Sequence, residues 1–152
     1  MNQTNNKRSG IFLLELMIAI LFFALSSAVV LRCFSMSHTL SVQSARQEQA
    51  MTQMENLSEL LYSVDTNNFK NPEAIFKTIR TEYSACNIVN ENINIFFDEN
   101  WDNCSSNNAS YEIILCSSRS KDAMCNFKLQ AVTTEKTQTE IADLAFKRYV
   151  KD

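Results

Sequence analysis

Between Ile11 and Leu31 the chain carries one charge, Glu15, in 21 residues. About 20 apolar residues in a helix match the ~30 Å hydrocarbon core of a bilayer. From Arg32 onward the sequence is mixed and polar enough to fold in water. The hydrophobic content of 45% is ordinary for a folded protein, but its distribution is not. A chain of 152 residues written this way divides into one membrane span and one small soluble domain.

Flanking charge sets the expected orientation. Lys7 and Arg8 precede the span, and no acidic residue accompanies them in the leader. Short segments rich in Lys and Arg stay cytoplasmic, so the N-terminus is expected inside and the bulk outside, with Arg32 weakening this bias without reversing it. The formal net charge is -3, and removal of the leader would make the remainder more acidic. An acidic body does not attract phosphate backbones by bulk charge, which disfavours nucleic-acid binding.

An ordinary secretory signal has a shorter apolar core and a small-residue cleavage site after it. Here the small pair, Ser9-Gly10, comes before the apolar run. An uncleaved signal anchor would account for the span and the basic flank. It leaves two details unexplained. Glu15 places a carboxylate inside a hydrocarbon segment, where such residues usually have a partner and a function. Gly10 is the single glycine of the chain and sits at the junction of leader and span.

Lys7-Arg8-Ser9-Gly10 followed by Ile11-Phe12-Leu13-Leu14-Glu15 resembles the prepilin signature of the type IV pilin-like and pseudopilin family. That signature is a short basic leader ending in Gly, a hydrophobic first mature residue and Glu at mature position five. Ile11 and Phe12 stand where Phe and Thr are usual in the family. The resemblance covers residues 7 to about 35. It implies cleavage after Gly10 by a membrane-embedded prepilin peptidase and methylation of the new amino group on Ile11. It further implies other pilin or pseudopilin subunits as partners, with an inner-membrane assembly platform and its ATPase acting indirectly. The location implied is the cell membrane first, then a cell-surface or extracytoplasmic filament. The expected organisation is a leader over 1–10, a transmembrane and assembly helix over 11–31, an amphipathic continuation over 32–64 and a globular head over 65–152.

On this reading Glu15 has a specific task. Cleavage creates an α-amino group at Ile11 that is costly in an apolar filament core. A neighbouring subunit's Glu15 can neutralise it, and a pairing in low dielectric favours one axial register. The plainer alternative is a Glu that snorkels to the cytoplasmic interface.

No helix breaker occurs between Ile11 and Val64, and Ala50, Met54, Leu57, Leu61 and Val64 form an apolar stripe at 4-3-4-3 spacing. This predicts one long helix, apolar all round first and amphipathic second; a detached coiled coil is the alternative for the stripe. Asp65 to Asn71 reads as a loop. Asn71-Pro72-Glu73 reads as a helix start, with Ile75, Phe76, Ile79 and Tyr83 on one face of a short helix. Strands are expected at 93–97, 111–115 and 127–132. The segment 141–150 suits helix or strand by pattern and is taken as a strand, because the sheet needs covering partners. The fold class is then α+β: a long N-terminal helix packed on a small antiparallel sheet.

Four cysteines of the soluble part, Cys86, Cys104, Cys116 and Cys125, are compatible with two disulfides and three connectivities in an exported domain, with free buried thiols as the alternative. A Cys116–Cys125 bridge pinning a hairpin is the favoured pairing, leaving Cys86–Cys104. Absence of any C-x-x-C spacing argues against zinc, and no metal or cofactor is expected. His38 reads as a surface residue. Asp98, Glu99 and Asp102 beside Trp101 read as a solvated acidic loop in preference to a calcium site. The glycosylation tripeptides at Asn56, Asn103 and Asn108 read as chance matches in an Asn-rich chain. No enzyme is visible. Two other functions stay open: a tip subunit gripping DNA or secreted cargo, through Arg119, Lys121, Lys128 and exposed aromatics, and an uncleaved membrane-anchored adhesion or sensor domain.

Overall fold

The computed structural model describes residues 3–64, 72–90, 92–119, 124–135 and 137–149. Among them, helix α1 runs over Gln3–Ser63 and α2 over Pro72–Glu82. Five strands follow: β1 Cys86–Val89, β2 Asn92–Phe97, β3 Tyr111–Arg119, β4 Met124–Thr133 and β5 Glu140–Tyr149. They form one antiparallel sheet in the order β1-β2-β3-β4-β5, each strand beside its sequence neighbour. The expected loop over Asp65–Asn71, the Asn71 cap and the turn residues Lys121 and Asp122 lie outside the described residues.

The chain separates into two compact units, 1–44 and 45–152. In the first, α1 continues back through the leader, so the helix begins before the apolar run. Its apolar segment is wholly unburied. This helix is long and apolar enough to cross a membrane, which is compatible with a membrane anchor.

The second unit is an α+β domain built on the stripe of α1. Ala50, Met54, Leu57, Leu61 and Val64 are all buried. They join Ile75, Ile79 and Tyr83 of the α2 segment and the inward side chains of the sheet in one core. Strand alternation explains which residues those are. Ile93, Ile95 and Phe97 of β2 point inward opposite Leu115, Ile113 and Tyr111 of β3. Ile113 and Leu115 stand in turn opposite Ala131 and Leu129 of β4. The long N-terminal helix therefore packs on the small sheet through one face, as the 4-3-4-3 spacing requires.

Segment 141–150, ambiguous by pattern, is strand: β5 sets Leu144 and Phe146 opposite the buried Leu129 and Phe127. It also closes the end of α1. That helix has no basic residue in its own last turn. Arg148 of β5 donates from Nη1 to the Leu61 carbonyl and lies 5.8 Å from the centre of the Tyr62 ring. Helix carbonyl ends favour a cation, by ~0.3–1 kcal/mol at exposed sites. The Tyr62 and Phe146 rings meet at 5.3 Å.

Strand β1 was not expected. Its four residues show no alternation, since Cys86 alone is buried and Ile88 and Val89 are exposed. Pairing with β2 creates it, through a turn in which Asn90 adopts φ 51, a left-handed conformation that Asn tolerates better than most residues.

Leu61→Ala should remove buried contacts shared by helix and sheet and destabilise the domain by about 2–5 kcal/mol. Chemical denaturation of the full chain in detergent, followed by tryptophan fluorescence, should show the loss.

Candidate functional site

Gly10, Ile11 and Glu15 lie in one uninterrupted helix. Ile11 and Glu15 are four residues apart, hence on the same face, separated by ~6 Å along the axis. All three are exposed. Gly10 needs no glycine for packing: an added Cβ would meet nothing within 4 Å. Its helical surroundings make glycine costlier than alanine, by about 1 kcal/mol. Local structure thus supplies no reason for the residue. Cys33 and His38 are also exposed on this unit.

In the head, the acidic loop is organised around Asp98. Its Oδ1 accepts from Asn100 N at 2.8 Å and from Asp102 N at 3.0 Å. The carboxylate is thus committed to a turn, and Trp101 sits in that turn at φ 64. The left-handed backbone is held by burial: the indole stacks on Tyr111 at 4.5 Å and 9° and meets Phe97 at 5.7 Å. Among the described residues no group of three or more His, Cys, Asp or Glu could hold a metal ion.

Asn103 is a structural pin. Its Nδ2 donates to the carbonyls of Ala85 at 3.2 Å and Phe96 at 3.0 Å, and its Oδ1 accepts from Ala85 N at 2.9 Å. One amide thereby joins the start of β1 to the end of β2. A tripeptide match hid this role in the sequence.

Of the two expected bridges, the sheet register argues against Cys116–Cys125. Cys86, Cys104, Cys116 and Cys125 are free thiols, as is Cys33. For Cys116 and Cys125 the register gives the reason. Cys125 is opposite Arg119, whereas Cys116 is opposite Lys128. The two are three register positions apart, ~10 Å along the strands. Odd separation also puts them on opposite faces: Cys125 is inside with Phe127, and Cys116 is outside with Lys128. A disulfide needs Cα atoms within about 7 Å and converging Cβ vectors. Burial pushes the Cys86 thiol up, partly offset by Arg80, and pushes Cys104 up with help from Asp98. Both shifts keep the thiol protonated and slow to react.

Two open hollows mark the head. One, of ≈ 590 Å³, lies among Gln53, Asn56, Leu60, Tyr83 and Trp101, with Glu59 and Glu82 on its lining. Tyr83 Oη donates to Gln53 Oε1 there at 3.4 Å, and burial followed by the Glu82 charge raises the tyrosine pKa. The other, of ≈ 480 Å³, is a dip in the outer face of β3–β5 lined by Cys116, Ser118, Asn126, Lys128 and Lys147. Of the three basic residues expected to mark a DNA- or cargo-binding patch, Lys128 is in this dip and Arg119 ends β3 on the opposite parity, while Lys121 lies outside the described residues. Asp143 shares the outer face, so the surface is mixed in charge rather than basic.

Comparisons with protein-family models, curated proteins and solved structures find no match.

Peptide mapping of the full-length protein without reductant should find no Cys116–Cys125 cross-link. Brief maleimide treatment should label exposed Cys33 fast and buried Cys86 slowly, with Cys86 labelling rising only at pH above the ordinary thiol range. The same shift makes the folded state hold its proton longer than the unfolded chain. Stability from this group is therefore complete below the unfolded thiol pKa and falls as pH rises through it.

Proposed function

We propose that this chain is a structural subunit, a minor pilin or pseudopilin, of a type IV pilus, type II secretion or competence-type filament. Prepilin peptidase cleaves it after Gly10 and methylates Ile11. The mature helix waits in the membrane, and the assembly platform with its ATPase then moves it into a filament of like subunits. Its work is mechanical, not catalytic.

The observation that carries this reading is the conjunction at residues 10–15. A glycine with no packing reason ends a basic leader, and a carboxylate follows at fixed spacing inside an unburied apolar helix. An anchor alone needs neither. The amphipathic half of the same helix, bound into a folded head, supports a subunit whose helix serves two surroundings. Glu15 of one subunit would accept the charge of the next subunit's Ile11 amino group, where water is excluded and an unpaired ion is costly.

Glu15→Leu separates assembly from anchoring. The variant should be cleaved at Gly10 and inserted at least as well as the native chain, because a charge has left the apolar segment. Its filament-associated fraction relative to the membrane pool should fall ~10-fold or more, the effect of losing about 1.4 kcal/mol per subunit. Normal incorporation of a cleaved Glu15→Leu variant would refute the assembly role. A bulky residue at Gly10 should leave full-length precursor in the membrane. Intact mass showing Met1 on filament-associated protein would refute the processing.

A further inference from the structure

The sheet has one short edge and one long edge. β1 offers four residues, whereas β5 offers ten and, among the described residues, has a strand partner only on its β4 side. A long open edge is a template for another strand, and proteins usually blunt it with charge, proline or a bulge. At β5 the bulge lies at one end, between Ala131 and Val132 of the partner strand. There Gln47 Nε2 already occupies the Ile141 carbonyl at 3.2 Å. The available ladder therefore starts at Ala142. At the other end Arg148 is folded in against Leu61 and Tyr62. Glu140 lies beyond the capped Ile141 and accepts from Gln130, so Asp143 and Lys147 are the exposed charges within the remaining ladder, both on its outer face.

We infer that β5 pairs antiparallel with β5 of a second copy of this chain, centred on Ala145. In that register Asp143 of each copy faces Lys147 of the other, once on each side of the two-fold axis. Ala145 meets Ala145, the smallest side chain of the outer row at the point of closest approach. On the inner face Leu144 meets Phe146, both half-buried beside the core, and Ala142 leaves room for the committed Arg148. The pairing spans 142–148 and so begins where Gln47 stops.

Neighbouring registers lose this match. Keeping both cores on one side of the joined sheet requires shifts that preserve the period of two. Centring on Leu144 sets both Asp143 carboxylates opposite Ala145 and both Lys147 opposite the capped Ile141. Centring on Phe146 sets both Lys147 opposite Ala145 and both Asp143 opposite Tyr149. Centring on Leu144 would also set Glu140 opposite Arg148, but Arg148 is held against the Leu61 carbonyl and Glu140 accepts from Gln130. Opposite charges facing across strands favour a pair, and within the 142–148 ladder the Ala145 register supplies two such contacts between exposed side chains. The interface is self-complementary and closes at two copies, so it differs from the open, head-to-tail contacts a filament uses and does not rest on the filament reading. Anchoring two copies in one bilayer would raise their effective concentration and favour such a modest contact.

Cross-linking tests the register. In full-length protein carrying Cys33→Ser to remove the exposed thiol, Ala145→Cys should oxidise in native membranes to a 145–145 disulfide. Paired residues sit ~4.5–5.5 Å apart between Cα atoms, within disulfide range. Asp143→Cys in the same background should cross-link at least 10-fold less, since the two positions would be more than ~13 Å apart. A second measurement needs no cysteine. Zero-length carbodiimide coupling of mixed isotopically heavy and light chains should join Asp143 of one copy to Lys147 of the other. Asp143→Lys should reduce dimer recovered by general amine cross-linking at least 10-fold, and Asp143→Lys with Lys147→Asp should restore it. Equal oxidation at positions 143 and 145, no heavy–light Asp143–Lys147 link, or no restoration by the double exchange would overturn the inference.

Discussion

Everything folded in this protein depends on one apolar stripe, the face of α1 from Ala50 to Val64 that is removed from water by the sheet. Burying a Leu or Met side chain contributes roughly 1.5–3 kcal/mol, and Met54, Leu57 and Leu61 are all essentially inaccessible. Without this helix face the inward row of β2, β3 and β4 would lie open to solvent, and a single antiparallel sheet would have nothing to cover it. The α2 segment covers the remainder through Ile75, Ile79 and Tyr83. Arg148 then ties the last strand back to the end of the helix, so the chain's final element stabilises its first.

The apolar pattern changes along α1. From Ile11 to Leu31 the side chains are apolar on every face, which suits hydrocarbon or other helices of the same kind. From Ala45 onward only one face is apolar. The pattern of one helix thus passes from apolar all round to apolar on one face, and the single carboxylate between Ile11 and Leu31 stands out for that reason. In the proposed role, the cost of holding Glu15 in apolar surroundings is what makes a partner for it decisive. In the head, the acidic loop spends Asp98 on backbone amides, and the buried Glu112 accepts from the Asn94 side chain.

The polar surfaces of the head serve geometry more than chemistry. Asn103 holds two strand ends together with one amide. Asp98 shapes a tight turn so that Trp101 can stack on Tyr111 despite its left-handed backbone. The cysteines are protonated where burial shifts them, and the Cys116–Cys125 pair is separated by sheet register.

Much of this was legible in residue order, because it depends on interactions within a few residues. The span followed from length and apolarity, the stripe from 4-3-4-3 spacing, α2 from a proline-acid start, and β2, β3 and β4 from β-branched and aromatic runs. The spacing of Gly10 and Glu15 is likewise a local pattern of the sequence. What needed the tertiary structure was every feature set by register between distant segments. Four residues of β1 become a strand only beside β2, and the ambiguous 141–150 becomes a strand only because β4 presents Leu129 and Phe127 to it. Faces of the cysteines could not be assigned until Cys125 was placed opposite Arg119, since a shift of one position reverses inside and outside. Arg148 reaches Leu61 across most of the chain, a contact that no local spacing encodes. Short-range periodicity therefore determined which elements form and which one is long and apolar enough to cross a membrane, whereas packing alone decided how the described strands pair and which faces the thiols take.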